Sequence, residues 1–225
     1  MQAMNPAAPQ PARRSPSSGQ QRAQRTRDAI LAAAVGEFAA EGFAGARIDA
    51  IAERSQANKQ RIYHYFGSKD GLFRAVQADA IAKLIACEEA VLAHAEADPS
   101  RLTEHLRDGY VVFHRDHPEF RRILAWANLA GIIPEAGSAA PRAAVLKRLK
   151  KAFQRAQALG GAPADCDFAT WLVAVTSIVY FIFSNQRTAS VNLGLSLSSA
   201  AACEELTRAA VALLGPAQPG KARQT

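Results

Sequence analysis

An all-α fold is predicted by three features of the sequence. Apolar residues recur at spacings of three and four along most of the chain. No strand-like alternation of useful length appears, and the breaks fall in short stretches carrying Gly, Pro, Asn and Ser, as expected of helices joined by tight connections. At 225 residues the chain is longer than one minimal domain and short for two large ones, so a small module joined to a larger one is expected. The division reads as a leader over 1–20, a three-helix module over 21–70, a larger helical domain over 71–215 and a flexible tail over 216–225.

The first helix is expected from about Arg22 to Phe43, because Ile30, Leu31, Ala34, Val35, Phe38 and Ala39 share one face and Gly42 closes the run. Ile48, Ile51 and Ala52 repeat at helical spacing over one or two turns. Asn58 then opens another short segment that ends at Gly67. Two short helices a few residues apart form a helix-turn-helix candidate. Ser68 is placed to cap a fourth helix, and Gly67 suits the left-handed residue that ends the third. The stripe Leu72, Phe73, Val76, Ile81, Leu84, Ile85 and Leu92 carries the fourth helix to Asp98–Pro99 and links the two modules. Further helices are expected near Pro99–Asp116, Pro118–Ala130, Ala139–Leu159, Cys166–Thr188 and Ser198–Leu214. Their breaks fall at His117–Pro118, Gly131–Gly137, Gly160–Pro163 and Asn192–Ser196. The most apolar run, Trp171–Phe183, is shorter than the roughly 20 residues a helix needs to cross a bilayer, so it reads as a buried helix and no membrane partner is expected.

A net charge of +7 favours a polyanionic partner, nucleic acid or an anionic membrane surface, and charge alone does not separate the two. Cys87, Cys166 and Cys203 are odd in number and lack the paired spacings of zinc sites or disulfide frameworks, which fits a reducing cytoplasm. The Pro, Ala, Ser and Gln of the leader hold no apolar block, so it reads as disordered rather than as a secretory signal. Arg13, Arg14, Arg22, Arg25 and Arg27 read as a flexible basic arm that adds affinity by counterion release without sequence preference.

Function is concentrated between Ile48 and Leu72. With Asn58 as cap, Ile62 and Phe66 lie four apart and face inward, while Lys59, Gln60 and Tyr63 share the opposite face with Arg61 and His64 on its flanks. That outer face is polar, basic and aromatic together. Lys, Arg and Gln reach base edges in a major groove, and Tyr combines ring contact with a hydroxyl bond to phosphate. Asn58 and Tyr65 complete the set of expected DNA-contacting residues, with at least one ring of the Tyr63–Tyr65 run expected to pack internally. Lys69 adds charge where free backbone N–H groups open the fourth helix, and Arg47 does the same at the second.

Through Ile51-Ala52, Ile62-Tyr63-His64-Tyr65-Phe66, Ser68-Lys69 and Leu72, the segment from about Arg25 to Leu72 resembles the tetracycline-repressor family of transcription regulators. Three departures stand out: Gln56-Ala57 where the family has Gly-Val, Arg47 for a frequent Thr, and Gln60-Arg61 for Gly-Thr. The first strains a turn, and the others change which bases or phosphates are met. The resemblance implies a double-stranded DNA operator, near-palindromic because a dimer reads it. It also implies a small-molecule effector bound behind the fourth helix, and a homodimer built on the last two long helices. A repressor released by its effector is the expected activity. Val175, Ile178, Val179, Ile182, Leu206 and Val211 on those two helices are available for burial.

Elsewhere the chemistry is sparse. Phe113, Trp126 and Trp171, with Asn128 or Asn185 as polar companions, are the candidates for an effector cavity suited to an apolar or aromatic ligand. His114 and His117 near Asp116 and Glu119 fall short of three convergent ligands, so no metal is expected. The neighbours Glu88-Glu89 and Glu204-Glu205 point apart on a helix and read as solvated faces. No nucleophile–base pair, phosphate loop or cofactor motif supports an enzyme attracting an anionic substrate, the main alternative class. A thiol redox switch on the same fold is the other, and none of the three cysteines sits in a basic cluster that lowers its pKa.

Overall fold

The computed structural model describes residues 18–132 and 140–214, and among them every regular element is helical. The chain forms α1 (Ser18–Gly45), α2 (Ile48–Ser55), α3 (Lys59–Phe66) and α4 (Lys69–Ala97). A 3-10 turn at Pro99–Arg101 leads to α5 (Leu102–Asp116), α6 (Pro118–Leu129), α7 (Ala140–Ala158), α8 (Phe168–Ser184), α9 (Gln186–Leu193) and α10 (Ala200–Ala212). The tail expected over 216–225, residues 1–17 of the leader with Arg13 and Arg14, and most of the Gly131–Gly137 break lie outside the described residues.

Helix α1 begins earlier than its apolar stripe does. Ser18–Gln20 of the expected leader and Arg22, Arg25 and Arg27 of the expected flexible arm are helical, carried by Gln, Arg and Ala with high helix propensity. At the other end Gly42 leaves the helix with φ 69°, and the Trp126 ring lies where its side chain would begin: a Cβ there would be 2.7 Å from the ring. Glycine is thus required both for the backbone turn and for the close approach of α6.

The expected helix Cys166–Thr188 is two helices. Asp167 starts α8 by accepting from the Ala169 and Thr170 amides at 2.9 and 3.1 Å, and Asn185 ends it. Helix α9 then departs at 83° and is closed by Gly194 in the left-handed region. No glycine or proline lies between Phe168 and Leu193, so the sequence offers no strong breaker at this bend. No single helix among the described residues is long and apolar enough to cross a membrane.

Two apolar clusters organise the molecule. The first joins Ile30, Ala34 and Phe38 of α1 to Ile51 of α2, Ile62 of α3 and Leu72, Phe73 and Val76 of α4. Ile123 and Ala127 of α6 complete it. The second lies among α4, α5, α7, α8 and α10 around Leu106, Leu149, Phe153, Trp171 and Val175. Packing therefore ties α6 to the N-terminal helices through Ile123 and Ala127, while Phe120 at its start stays in the second cluster with α5 and α7.

Glu88 overturns the solvated-face reading of Glu88-Glu89. It is fully buried on the inner stripe of α4, where the Tyr110 hydroxyl donates to it at 2.7 Å and the Arg142 guanidinium at 2.9 Å. Burial and then the Glu88 charge push the Tyr110 phenol above its ordinary pKa. Glu89 faces outward against Arg148, as a surface carboxylate does.

Candidate nucleic-acid interface

The helix-turn-helix is built by short-range bonds that the sequence encodes directly. The Asn58 side chain accepts the Arg61 amide at 2.8 Å, satisfying an open donor in the first turn of α3. Gly67, at φ 75°, closes α3 by donating its N–H to the Tyr63 carbonyl at 2.8 Å, and Ser68 opens α4 by accepting the Gly71 amide at 3.0 Å. The turn between α2 and α3 runs through Gln56 at φ 54°, ψ 28°, with Ala57 buried beneath it. The strain expected at Gln56 is therefore present: it occupies the left-handed region that glycine adopts at least cost.

Helix α3 stands on Ile62, which is completely buried, and on the partly buried Phe66. Opposite them Asn58, Lys59, Gln60, Arg61, Tyr63 and His64 are exposed, Tyr63 at 46%. Tyr65 is partly buried: it packs on the first cluster and makes edge contacts with the His64 and Phe66 rings, at centroid separations of 5.3 and 6.4 Å. It is the internally packed ring that the aromatic run demanded. Arg27 of α1 lies over the Phe66 ring at 5.2 Å, which brings α1 beside the end of α3.

The cations of this surface are held differently. Arg61 and Arg47 are exposed and make no side-chain ion pair among the described residues. Lys59 meets Asp49 of α2 at 2.5 Å, and that hydrogen bond raises its pKa above the ordinary lysine value. Lys69 lies against the end of α1, its Nζ donating to the Ala44 carbonyl at 3.2 Å and standing over the Phe43 ring.

One supporting residue was not singled out from the sequence. Glu37 of α1 is 4% exposed, yet its carboxylate accepts the Arg47 amide at 3.1 Å and pairs with Arg54 at 3.3 Å. Arg47 at the start of α2 has no side-chain oxygen to cap the helix, and Glu37 takes over part of that task from another helix. The available signal was an acid beside Phe38 on the inward stripe of α1, followed by an unpaired Arg54.

The effector candidates are dispersed. Trp171 is buried in the second cluster, where its Nε1 donates to Thr103 Oγ1 at 3.2 Å and its ring lies 4.8 Å from Phe153. Phe113 packs edge-on to Phe120 at 4.9 Å, while Trp126 is 39% exposed and faces Gly42. No ring contact among the described residues joins the three. His114 and His117 diverge too: His114 is buried among aromatic rings and His117 Nδ1 lies 3.4 Å from Glu119. Asn128 is exposed on α6, whereas Asn185 lines a cleft of about 780 Å³ between α1, α6 and α8.

Comparison with known proteins bears on the whole chain. Residues 30–76 match the model described as bacterial regulatory proteins, tetR family, and residues 99–214 match that of a tetracyclin repressor-like C-terminal domain. The HTH-type transcriptional repressor NicS of Pseudomonas putida is 35% identical over 181 residues, covering 79% of this chain and 85% of that protein. The HTH-type transcriptional repressor SCO4008 of Streptomyces coelicolor is 39% identical over 106 residues, or 47% of this chain and 51% of that one. Among solved structures, the TetR family transcriptional regulator PfmR of Thermus thermophilus superposes with a TM-score of 0.64 at 21% identity, covering 82% of this chain and 96% of that one. At that identity the likeness speaks for the fold.

Proposed function

This chain belongs to the TetR family of bacterial regulators and is a DNA-binding transcription regulator, and from that premise we propose that it is a dimeric repressor released from a near-palindromic operator by a small molecule. The supporting observation is the face of α3 from Lys59 to His64, which is solvent-exposed although the helix is rooted in the core by Ile62. Gln60, Arg61 and Tyr63 meet base edges and phosphates in the major groove, with His64 at the flank. Asn58 has its side chain engaged by the Arg61 amide and serves by fixing the helix start. Arg47, and Lys69 once it leaves the Ala44 carbonyl, reach phosphates, and Lys59 does so in exchange for Asp49. Tyr65 holds the shape of the surface from beneath.

The dimer forms on the outer side of α8 with α10. Val175, Val179, Ile182 and Val211 are buried within the protomer, and Ile178 and Leu206 pack partly against the same cluster. Val173 and Phe181 of α8 and Leu213 after α10 are the exposed apolar groups left for a second copy. Such a dimer presents two recognition helices about 34 Å apart or somewhat more, one turn of the duplex. The relatives are named as repressors, and the chain acts as a regulator rather than an enzyme.

The test uses a duplex selected by the protein from a random-sequence pool. Arg61→Ala and Tyr63→Ala are expected to cost about 1–3 kcal/mol each in binding that duplex, read by fluorescence anisotropy at fixed salt, with thermal stability unchanged. Unaltered affinity in both variants, or no preference for any duplex over random competitor, would overturn the assignment.

A further inference from the structure

The cleft between α1, α6 and α8 is unusual in its charge. Arg121 and Arg122 of α6 and Arg187 of α9 line it, and none of the three makes an ion pair among the described residues. Arg121 is partly buried. Burial holds its guanidinium below the ordinary arginine pKa, with the Arg122 charge working in the same direction. It donates to the His114 carbonyl and lies over the Phe183 ring at 5.7 Å, so its position is fixed. Among the described residues Glu119 is the one acid in the lining and acts on Arg121 without a direct ion pair, so three arginines face a single carboxylate. A partly buried cation without a direct ion-pair partner is costly, and an anion that supplies one is bound correspondingly well.

Beside Arg121 the wall is aromatic. Tyr180 and Phe183 of α8 line the cleft, and the same two rings lie 5.9 and 6.2 Å from the His114 ring behind them. His114 is 2% exposed, and its Nδ1 has no hydrogen-bond partner among the described residues. Behind the aromatic wall there is thus a buried polar atom with no partner among the described residues. The cleft, at about 780 Å³, lies in the range of small-molecule sites.

We propose that this cleft is the effector site and that it takes a small organic anion with a flat aromatic body, its carboxylate on Arg121 and Arg122 and its ring against Tyr180 and Phe183. The proposal rests on the effector-responsive reading above and deepens it. Its position explains how occupancy reaches DNA. Gly36 and Ala39 of α1 form part of the cleft, and α6 shares its core with α1 through Ile123 and Ala127, whereas α8 is the dimer helix of the proposed function. A ligand wedged between α6 and α8 shifts the DNA-binding body against the dimer axis and so changes the separation of the two recognition helices. Effector and operator then oppose each other by one common factor, whichever binds first.

The experiment titrates the full-length protein with benzoate, benzamide and inorganic phosphate by calorimetry, and repeats the benzoate titration with the selected duplex bound. Benzoate is expected to bind once per protomer, with benzamide and phosphate at least about tenfold weaker, and operator-bound protein to bind benzoate more weakly than free protein. Arg121→Gln and, on the exposed rim, Arg122→Gln are each expected to weaken benzoate about tenfold while leaving the circular dichroism and unliganded operator affinity unchanged. The rim variant carries the test should Arg121→Gln fail to fold. The inference is overturned if benzoate gives no heat up to ~10 mM, if benzamide or phosphate matches it, or if neither folded variant weakens it. Any of these with operator binding retained removes the ligand site alone, whereas wild-type protein that selects no duplex removes the reading beneath it.

Discussion

Gln56 and His114 show how single residues carry strain that the surrounding fold sustains. Gln56 holds φ 54° in the turn of the helix-turn-helix, a conformation that costs a side chain about 1 kcal/mol relative to glycine. Gln56→Gly is therefore expected to raise stability by up to about 1 kcal/mol, less the extra entropy of the unfolded glycine, and a urea melt that shows destabilisation would refute the strain. The pKa of His114 is lowered to about 4, by burial first and the Arg121 charge second. The unfolded chain, with a histidine near 6.5, then binds the extra proton first as pH falls. Stability from this residue is complete above about pH 6.5 and is lost between 6.5 and 4, by roughly 3 kcal/mol if the full shift is realised. His114→Phe is expected to flatten that acid limb in denaturation curves taken from pH 4 to 7, and an identical slope in both proteins would exclude His114 as its source. The turn strain was legible in the sequence because a helix-turn-helix needs a left-handed residue near Gln56. The buried imidazole was not, because whether a histidine faces aromatic rings or water depends on α8, whose Tyr180 lies more than sixty residues further along the chain.

At the scale of elements, local bonds were legible and bonds between helices were not. Asn58, Gly67 and Ser68 cap and close α3 and α4 as their positions in the sequence require, since each acts within four residues of itself. Glu37 caps α2 from α1, and Glu88 binds Arg142 from 54 residues away, so neither carboxylate is distinguished by its neighbours in sequence. Glu37→Ala leaves the Arg47 amide without its acceptor and Arg54 without its partner. A loss of about 1–3 kcal/mol is expected, together with faster hydrogen exchange at the Arg47 amide, while Glu37→Gln keeps an acceptor and loses less. Protection at that amide unchanged in Glu37→Ala would show that α2 is capped by other means. The break at Asn185 belongs here as well: α8 and α9 follow each other with no glycine or proline between them, yet meet at 83°.

For the whole molecule, the decisive feature is which body each helix belongs to. The sequence orders α4 through α10 as one domain, yet α6 joins the N-terminal cluster through Ile123 and Ala127, with only Phe120 in the other, and faces α8 across the arginine-lined cleft. In the proposed dimer α8 links the two recognition helices by way of this cleft, so affinity for the proposed palindrome would depend on the oligomer as much as on α3. Phe181, 56% exposed, and Val173, 61% exposed, lie on the outer side of α8 away from the core residues Val175, Val179 and Ile182. A charge at such a position costs nothing in a monomer but must be desolvated in a dimer. Phe181→Arg is accordingly expected to yield a folded monomer by light scattering, with unchanged circular dichroism. Its affinity for the full selected site should fall to that of a single half-site, because the gain from tethering two weak contacts disappears. A Phe181→Arg protein that stays dimeric would move the interface off this face of α8, and one that turns monomeric yet binds the full site undiminished would show that the two helices act without each other.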